Sequence, residues 1–287
     1  MSDSGVGEAG LRTFAGGVAL VAGGASGIGA ALGRELAQRG ALVVLADRDG
    51  DDARAEAARI TASGGRAQGV PLDVRDASAV AAVVADAAFR HGRIDYLFNN
   101  AGIAVGGEAK DLDLEDWRYA VEVNLMGVVH GVQAAWPRML EQGFGHVINT
   151  ASMAAFLPTP MAAAYAATKS AVFALSRALR LEGACRGIRV SVLCPGVVRT
   201  PILDGGRHGR LRNFIPTRTL LALNERLHPM DVGTFARRAL EDVARNRGVI
   251  IHPGFWRVLP LLHGLAPWLL DALLRREYAR VRAFLAR

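Results

Sequence analysis

The chain has 287 residues, 51% of them hydrophobic, enough for one α/β domain with a decoration, and its N-terminus lacks the apolar run of a signal peptide. A formal charge of +7 invites a nucleic-acid partner, but the arginines are scattered and rarely stand beside aromatics in a binding motif, so no nucleic acid is expected. Cys185 and Cys194 are too few for a disulfide framework or a metal cluster, and read as buried free thiols in a reducing cytoplasm.

Residues 1–13 are small, polar and glycine-rich and read as a disordered leader. Strand and helix patterns then alternate. Val18–Ala22 is an apolar strand, and Ile28–Arg39 a helix. Ala41–Ala46 is a second strand, followed by a helix over Asp51–Ser63. Ala67–Leu72, Ile94–Phe98, Gly145–Thr150 and Ile188–Leu193 continue the strands, with helices over Ser78–His91, Glu115–Glu141 (long) and Met161–Arg180. Strands apolar throughout and separated by helices describe a parallel sheet covered on both faces. After Pro195, the arginine- and glycine-rich segment Gly205–Arg218 reads as a mobile insertion over the site, within a substrate loop of about residues 200–230. A helix over Asp231–Asn246 and a seventh strand over Val249–Ile251 close the unit. The expected organisation is a single doubly wound, Rossmann-like domain over residues 14–255 with a helical extension over residues 256–287.

The turn after the first strand carries Gly23-x-x-x-Gly27-x-Gly29. Glycines there allow a tight turn and a close approach of backbone to a pyrophosphate seated on the following helix N-terminus. Asp47 ends the second strand, where a carboxylate accepts from the adenosine ribose hydroxyls and repels a 2′-phosphate. Arg48 follows it and offers that phosphate a partner, so NAD is favoured over NADP without excluding it. Tyr165 and Lys169 stand four apart on a helix in a chain with only one other lysine, Lys110. One face then carries a phenol and a compact ammonium able to stabilise phenolate, the equipment of a general acid/base.

These residues, with Asn99-Asn100-Ala101-Gly102, Asn124, Ser152 and Pro195-Gly196, resemble the short-chain dehydrogenase/reductase family over about residues 14–255. The chain departs from the family at Ala22, where a threonine is usual. The resemblance implies catalysis by Asn124, Ser152, Tyr165 and Lys169. Tyr165 would exchange a proton with the substrate oxygen, and Ser152 would hold that oxygen. Lys169 would lower the tyrosine pKa and bind the nicotinamide ribose, and Asn124 would continue the proton relay through a water. Gly23, Ser26, Gly27, Ile28, Gly29, Asp47, Arg48, Asp73, Val74, Asn100, Ala101, Gly102, Tyr165, Lys169, Pro195, Gly196, Val198 and Thr200 would bind the dinucleotide, with Asp73 accepting from the adenine amino group. Ser152, Ala154 and Tyr165 would touch the substrate. A homodimer or homotetramer is implied as well.

Ile103, Ala104, Met153, Ala154, Phe156, Leu157, Pro158 and Val197 surround the expected pocket, which suits a hydrophobic secondary alcohol or ketone. Only Arg207, Arg210 and Arg212 offer a charge for an anionic substrate. An NADP-dependent ketoreductase and a non-catalytic dinucleotide sensor are the alternatives. From Arg245 to Arg287 eight arginines face two acids, and Leu270, Leu274, Tyr278, Val281 and Leu285 form one apolar stripe. That helix suits an oligomer contact, a cover for the cleft, or a peripheral membrane contact of a cytoplasmic protein, with a protein contact favoured.

Overall fold

A computed structural model describes residues 10–157, 159–212 and 216–285. In chain order, β1 (Val18–Ala22), α1 (Gly27–Gln38), β2 (Leu42–Asp47), α2 (Gly50–Ala62), β3 (Arg66–Pro71), α3 (Ala77–His91) and β4 (Tyr96–Asn99) form the first half. The second half continues with the short strand β5 (Val105–Gly106), α4 (Leu114–Val121), α5 (Gly127–Gln142), β6 (Gly145–Thr150), α6 (Ala163–Ala184) and β7 (Ile188–Pro195). Then follow β8 (Arg210–Leu211), α7 (Thr217–Glu225), α8 (Val232–Ala244), β9 (Val249–His252), α9 (Val258–Leu265) and α10 (Pro267–Leu285).

Seven strands make one parallel sheet in the order β3-β2-β1-β4-β6-β7-β9. Side chains alternate across it. Leu20, Val44 and Leu97 face α3, α4, α5 and α6, while Val21, Val43 and Phe98 face α1, α2 and α8. Both faces of the central strands are therefore dry, which explains why β1, β2 and β4 read as apolar runs, whereas the edge strand β3 is half-exposed. The strand order reverses between β1 and β4, and a crevice opens there at the carboxyl ends. This is the expected Rossmann-like fold with a helical extension.

Four local expectations need correction. The first nine residues of the expected leader lie outside the described residues, but residues 10–13 are anchored. The Tyr96 hydroxyl donates to the Arg12 carbonyl at 2.6 Å, and Arg93 donates to the Gly10 carbonyl at 2.7 Å. The long helix expected over Glu115–Glu141 is present as α4 and α5, joined without a break by a π-helical turn, Glu122–Met126, in which Asn124 is buried. Cys194 is buried as expected, but Cys185 is exposed, because it caps the end of α6 instead of entering the core.

The segment Gly205–Arg212, read as mobile, is strapped down. Its backbone pairs with β5 through β8. Arg210 and Arg212 converge on buried Asp116, and Arg207 and His208 both reach Asp49 at 2.9 Å. Asn213–Ile215, within the same expected insertion, lie outside the described residues.

In the extension, Leu270 is buried, and Leu274 and Tyr278 are half-buried against the body. The stripe offered to a second copy, a membrane or the cleft is, over those three positions, the inner face of α10 against the body, which corrects the first two of those readings. The side chains of Val281 and Leu285 lie outside the described residues.

Candidate active site

A cleft of about 700 Å³ occupies the carboxyl ends of the central strands, within the range that holds small-molecule ligands. One wall is the β1–α1 turn. Gly23 adopts φ +73° there, and a Cβ on it would lie 2.7 Å from the Ala101 Cα. At Gly29 a Cβ would overlap the Gly23 carbonyl. The turn is therefore possible only with glycine at these two points, and its backbone stands open to a ligand. Ser26, Gly27 and Ile28 line the cleft, while Gly29 lies behind it as the hinge of the turn.

Asp47 ends β2 at the cleft edge. Its Oδ2 accepts from the Ala25 amide at 2.9 Å and Oδ1 from the Asp49 amide at 3.1 Å, so the carboxylate is oriented while keeping lone pairs for a diol. Arg48 is exposed at the rim. Asp73 and Val74 line the same end. Arg75 grips the Asp73 carboxylate through Nε and Nη2 and holds its pKa below the usual range. The Val74 carbonyl lies 2.9 Å from the His130 ring nitrogen.

Asn100, Ala101 and Gly102 form the floor. Asn100 donates to the Gly23 carbonyl at 3.3 Å and accepts from the Thr150 hydroxyl at 3.3 Å. This tie joins the β1, β4 and β6 ends, so Ala22, which lacks the usual hydroxyl, does not leave the loops unlinked.

At the opposite end Ser152, Tyr165 and Lys169 converge. Ser152 follows β6 and starts a short 3-10 turn, its Oγ accepting from the Ala154 amide at 3.1 Å. The alanine-rich helix α6 presents Tyr165 and Lys169 on one face. Lys169 is 3% exposed and donates to the Thr150 carbonyl at 2.9 Å, with its Nζ 5.6 Å from the Tyr165 ring centroid. Burial pushes Lys169 down to about 8. Burial pushes Tyr165 up, and a hydrogen bond with Ser152 opposes it. The ammonium donates to a carbonyl of another strand, and the side chain hydrogen-bonded to the phenol is Ser152.

Asn124 does not line the cleft. Its side chain closes a two-way pair with the Ile103 backbone, accepting at 2.8 Å and donating at 3.1 Å. A Cβ on Gly102 would meet both Asn124 Oδ1 and Lys169 Nζ at 3.2 Å, so these two groups flank Gly102 from behind the floor.

Pro195, Gly196, Val198 and Thr200 form the wall opposite the glycine turn, together with Ile103, Ala104, Met153, Ala154, Leu157 and Val197. Phe156 turns away to pack edge-on against Phe173 at 4.6 Å, and Pro158 lies outside the described residues. None of the three arginines offered to an anionic substrate is free for that use. Arg207 pairs with Asp49 and Asp52, Arg210 with Glu115 and Asp116, and Arg212 with Asp113 and Asp116.

Sequence reasoning missed Trp256, His208 and Asn224, all of which line the cleft. Trp256 packs its indole on Gly196, where any Cβ would strike the ring at 2.5 Å. Nothing in its spacing signals this, because it stands at the start of what reads as an appendage.

A parallel sheet with a glycine-rich turn, an acid at the end of the second strand and a Tyr-x-x-x-Lys helix at one cleft has the layout of a dinucleotide-binding oxidoreductase. The family model described as short chain dehydrogenase matches residues 17–210, and the chain belongs to the short-chain dehydrogenase/reductase family. It is similar to D-threitol dehydrogenase of Mycolicibacterium smegmatis, 40% identical over 204 residues that span 70% of this chain and 78% of that one. It is also similar to 1-deoxy-11-beta-hydroxypentalenate dehydrogenase of Streptomyces exfoliatus, 46% identical over 65% of this chain and 69% of that one. A crystal structure of a short chain dehydrogenase/reductase from Burkholderia phymatum in complex with NAD superposes with a TM-score of 0.78 at 33% identity, covering 88% of this chain and 95% of that one. The protein is an oxidoreductase acting on CH–OH groups, in a family that binds NAD(P).

Proposed function

We propose that the protein is an NAD-dependent dehydrogenase of a hydrophobic secondary alcohol. One observation carries the reading: Ser152, Tyr165 and Lys169 meet at one end of a mostly apolar cleft whose other end holds the glycine turn and Asp47. The residues fit the dinucleotide, since the turn has no room for a Cβ and Asp47 is held at the ribose end. When bound, nicotinamide supplies the acceptor for the hydride leaving the carbinol carbon.

The chain does the rest. Ser152 and Tyr165 hold the substrate oxygen, Tyr165 as phenolate takes its proton as the carbonyl forms, and Lys169 lowers the tyrosine pKa toward that form and fixes the nicotinamide ribose. Asn124, behind the floor beside Lys169, continues the proton path toward solvent through a water. Asp47 accepts from ribose hydroxyls and disfavours a 2′-phosphate. Pairing of Arg207, Arg210 and Arg212 with acids leaves an uncharged substrate as the best match.

The test is absorbance at the reduced-nicotinamide band with NAD and with NADP across a panel of hydrophobic secondary alcohols. Turnover with NAD alone is the expected result. Preference for NADP would give Arg48 the deciding role, and binding of NAD without turnover of any alcohol would favour a cofactor sensor.

A further inference from the structure

We propose that the C-terminal helix pair docks on an anionic lipid bilayer, lying in its interface. The proposal goes beyond the catalytic reading and does not rest on it. With the stripe of Leu270, Leu274 and Tyr278 turned inward, a second stripe faces solvent. Val258, Leu261, Leu265, Trp268, Leu269 and Leu273 are all exposed, Leu265 by 85% and Trp268 by 69%. No Asp, Glu, Lys or Arg interrupts the chain from Val258 to Leu270. So many exposed large apolar side chains within one short run of chain mark an interaction site.

The charge on the same helix selects the partner. Along α10, Leu269 and Leu273 share a face with Arg276, and Trp268 shares one with Arg275. Arg275 and Arg276 are exposed and form no ion pair among the described residues, whereas Arg280 pairs with Glu277 and Arg282 with Glu108. The outer surface is thus apolar where it begins and cationic where it ends. A second copy of the chain would present it with the same arginines or the same leucines, since a two-fold contact sets one patch on itself. Neither satisfies a guanidinium. An acidic headgroup layer over acyl chains matches both parts, and an indole such as that of Trp268 suits the boundary between them.

The helices lie on the surface. No single described helix is long and apolar enough to cross a membrane; Gly254–Leu265 and Pro267–Arg280 have the length and composition only together, and a 116° bend separates them. The docked face begins at the cleft. Phe255, 62% exposed, directly precedes Trp256 of the cleft wall, and Tyr278 on the inner side donates to Glu108 at 2.7 Å, two residues past Gly106 of that wall. Docking therefore holds the cleft beside the layer in which a lipophilic alcohol partitions.

The experiment is flotation of the full chain with vesicles of phosphatidylcholine, alone or mixed with phosphatidylglycerol, at low and high salt and with no substrate present. The expected result is flotation with the anionic vesicles only, weakened by salt. Arg275→Gln and Arg276→Gln should each lower partitioning about fivefold. Leu265→Glu should abolish it while far-ultraviolet dichroism stays unchanged. Failure to float overturns the proposal, as does flotation of Leu265→Glu equal to that of the parent chain. Sedimentation in which Leu265→Glu turns a lipid-indifferent dimer into a monomer would also overturn it, and would give the ridge to a second copy. Absence of dehydrogenase activity would leave this readout untouched.

Discussion

Tyr165 and Lys169 were legible because their separation of four survives any uncertainty in where the helix begins. Their electrostatics were not. The partner of Lys169 is the Thr150 carbonyl on another element, and no spacing within α6 announces it. Replacing Tyr165 by Phe removes the hydroxyl to which the proposed mechanism gives the proton exchange and keeps the ring. Turnover should fall by about 10³-fold, while cofactor affinity measured by fluorescence quenching stays within a few-fold. Near-parental turnover would remove Tyr165 from the mechanism. The buried ammonium makes a separate prediction. Its pKa falls from 10.5 to about 8 on folding, so between those values the unfolded chain binds more protons and stability rises with pH. Below about 8 both states are protonated and the full burial penalty is present. Tyrosines whose pKa values rise on folding, Tyr165 and Tyr96, act in the opposite sense above pH 10. The signature is therefore the difference between parent and Lys169→Met in urea midpoints across this window: the parent gains stability relative to the variant as pH rises. Parallel curves would mean that Lys169 titrates alike in both states.

At the scale of elements, the seven strands were readable because a sheet buried on both faces must be apolar throughout. Strands β5 and β8, two residues each, are too short to have a period, so the strap they form was read as a mobile loop. The π-helical turn was equally hidden, since one extra residue in a helix leaves its composition unchanged. What fixes the strap is Asp116, fully buried, accepting from Arg212 Nε at 2.9 Å and from Arg210 at 3.3 Å. Asp116→Asn keeps an acceptor for the capping box that starts α4, yet removes the charge both guanidiniums share. Because the arginines reach water, the penalty should be modest, about 1–3 kcal/mol. Its main effect should fall on the strap. The KM for alcohol should rise several-fold with kcat changed less, and limited proteolysis should begin within residues 205–212. Unchanged KM together with unchanged protease resistance would show that the backbone ladder alone holds this wall.

For the whole molecule, the sequence located an extension over residues 256–287, but the orientation of α10 could not be read from it. A helix with apolar residues on more than one face leaves its inward side to tertiary packing. Leu270, Leu274 and Tyr278 turned inward because the body offered Glu108 to the tyrosine hydroxyl, and the more apolar stripe remained outside. The boundary was also misplaced, since Trp256 belongs to the cleft. Cutting the chain after Arg257 therefore separates two roles. It keeps β9 and Trp256 and removes α9 and α10, in which Leu270 alone among the described side chains is fully buried. Burial of one leucine is worth about 2–3 kcal/mol, and for a domain of this size each kcal/mol moves the thermal midpoint by about 2–4 °C. The shortened chain should thus remain folded, with a midpoint lowered by no more than about 12 °C and better solubility once the apolar ridge is gone. Calorimetry decides. A larger fall, or loss of the cooperative transition, would mean that the extension is part of the core, and that its exposed ridge is a cost the fold accepts for its own stability.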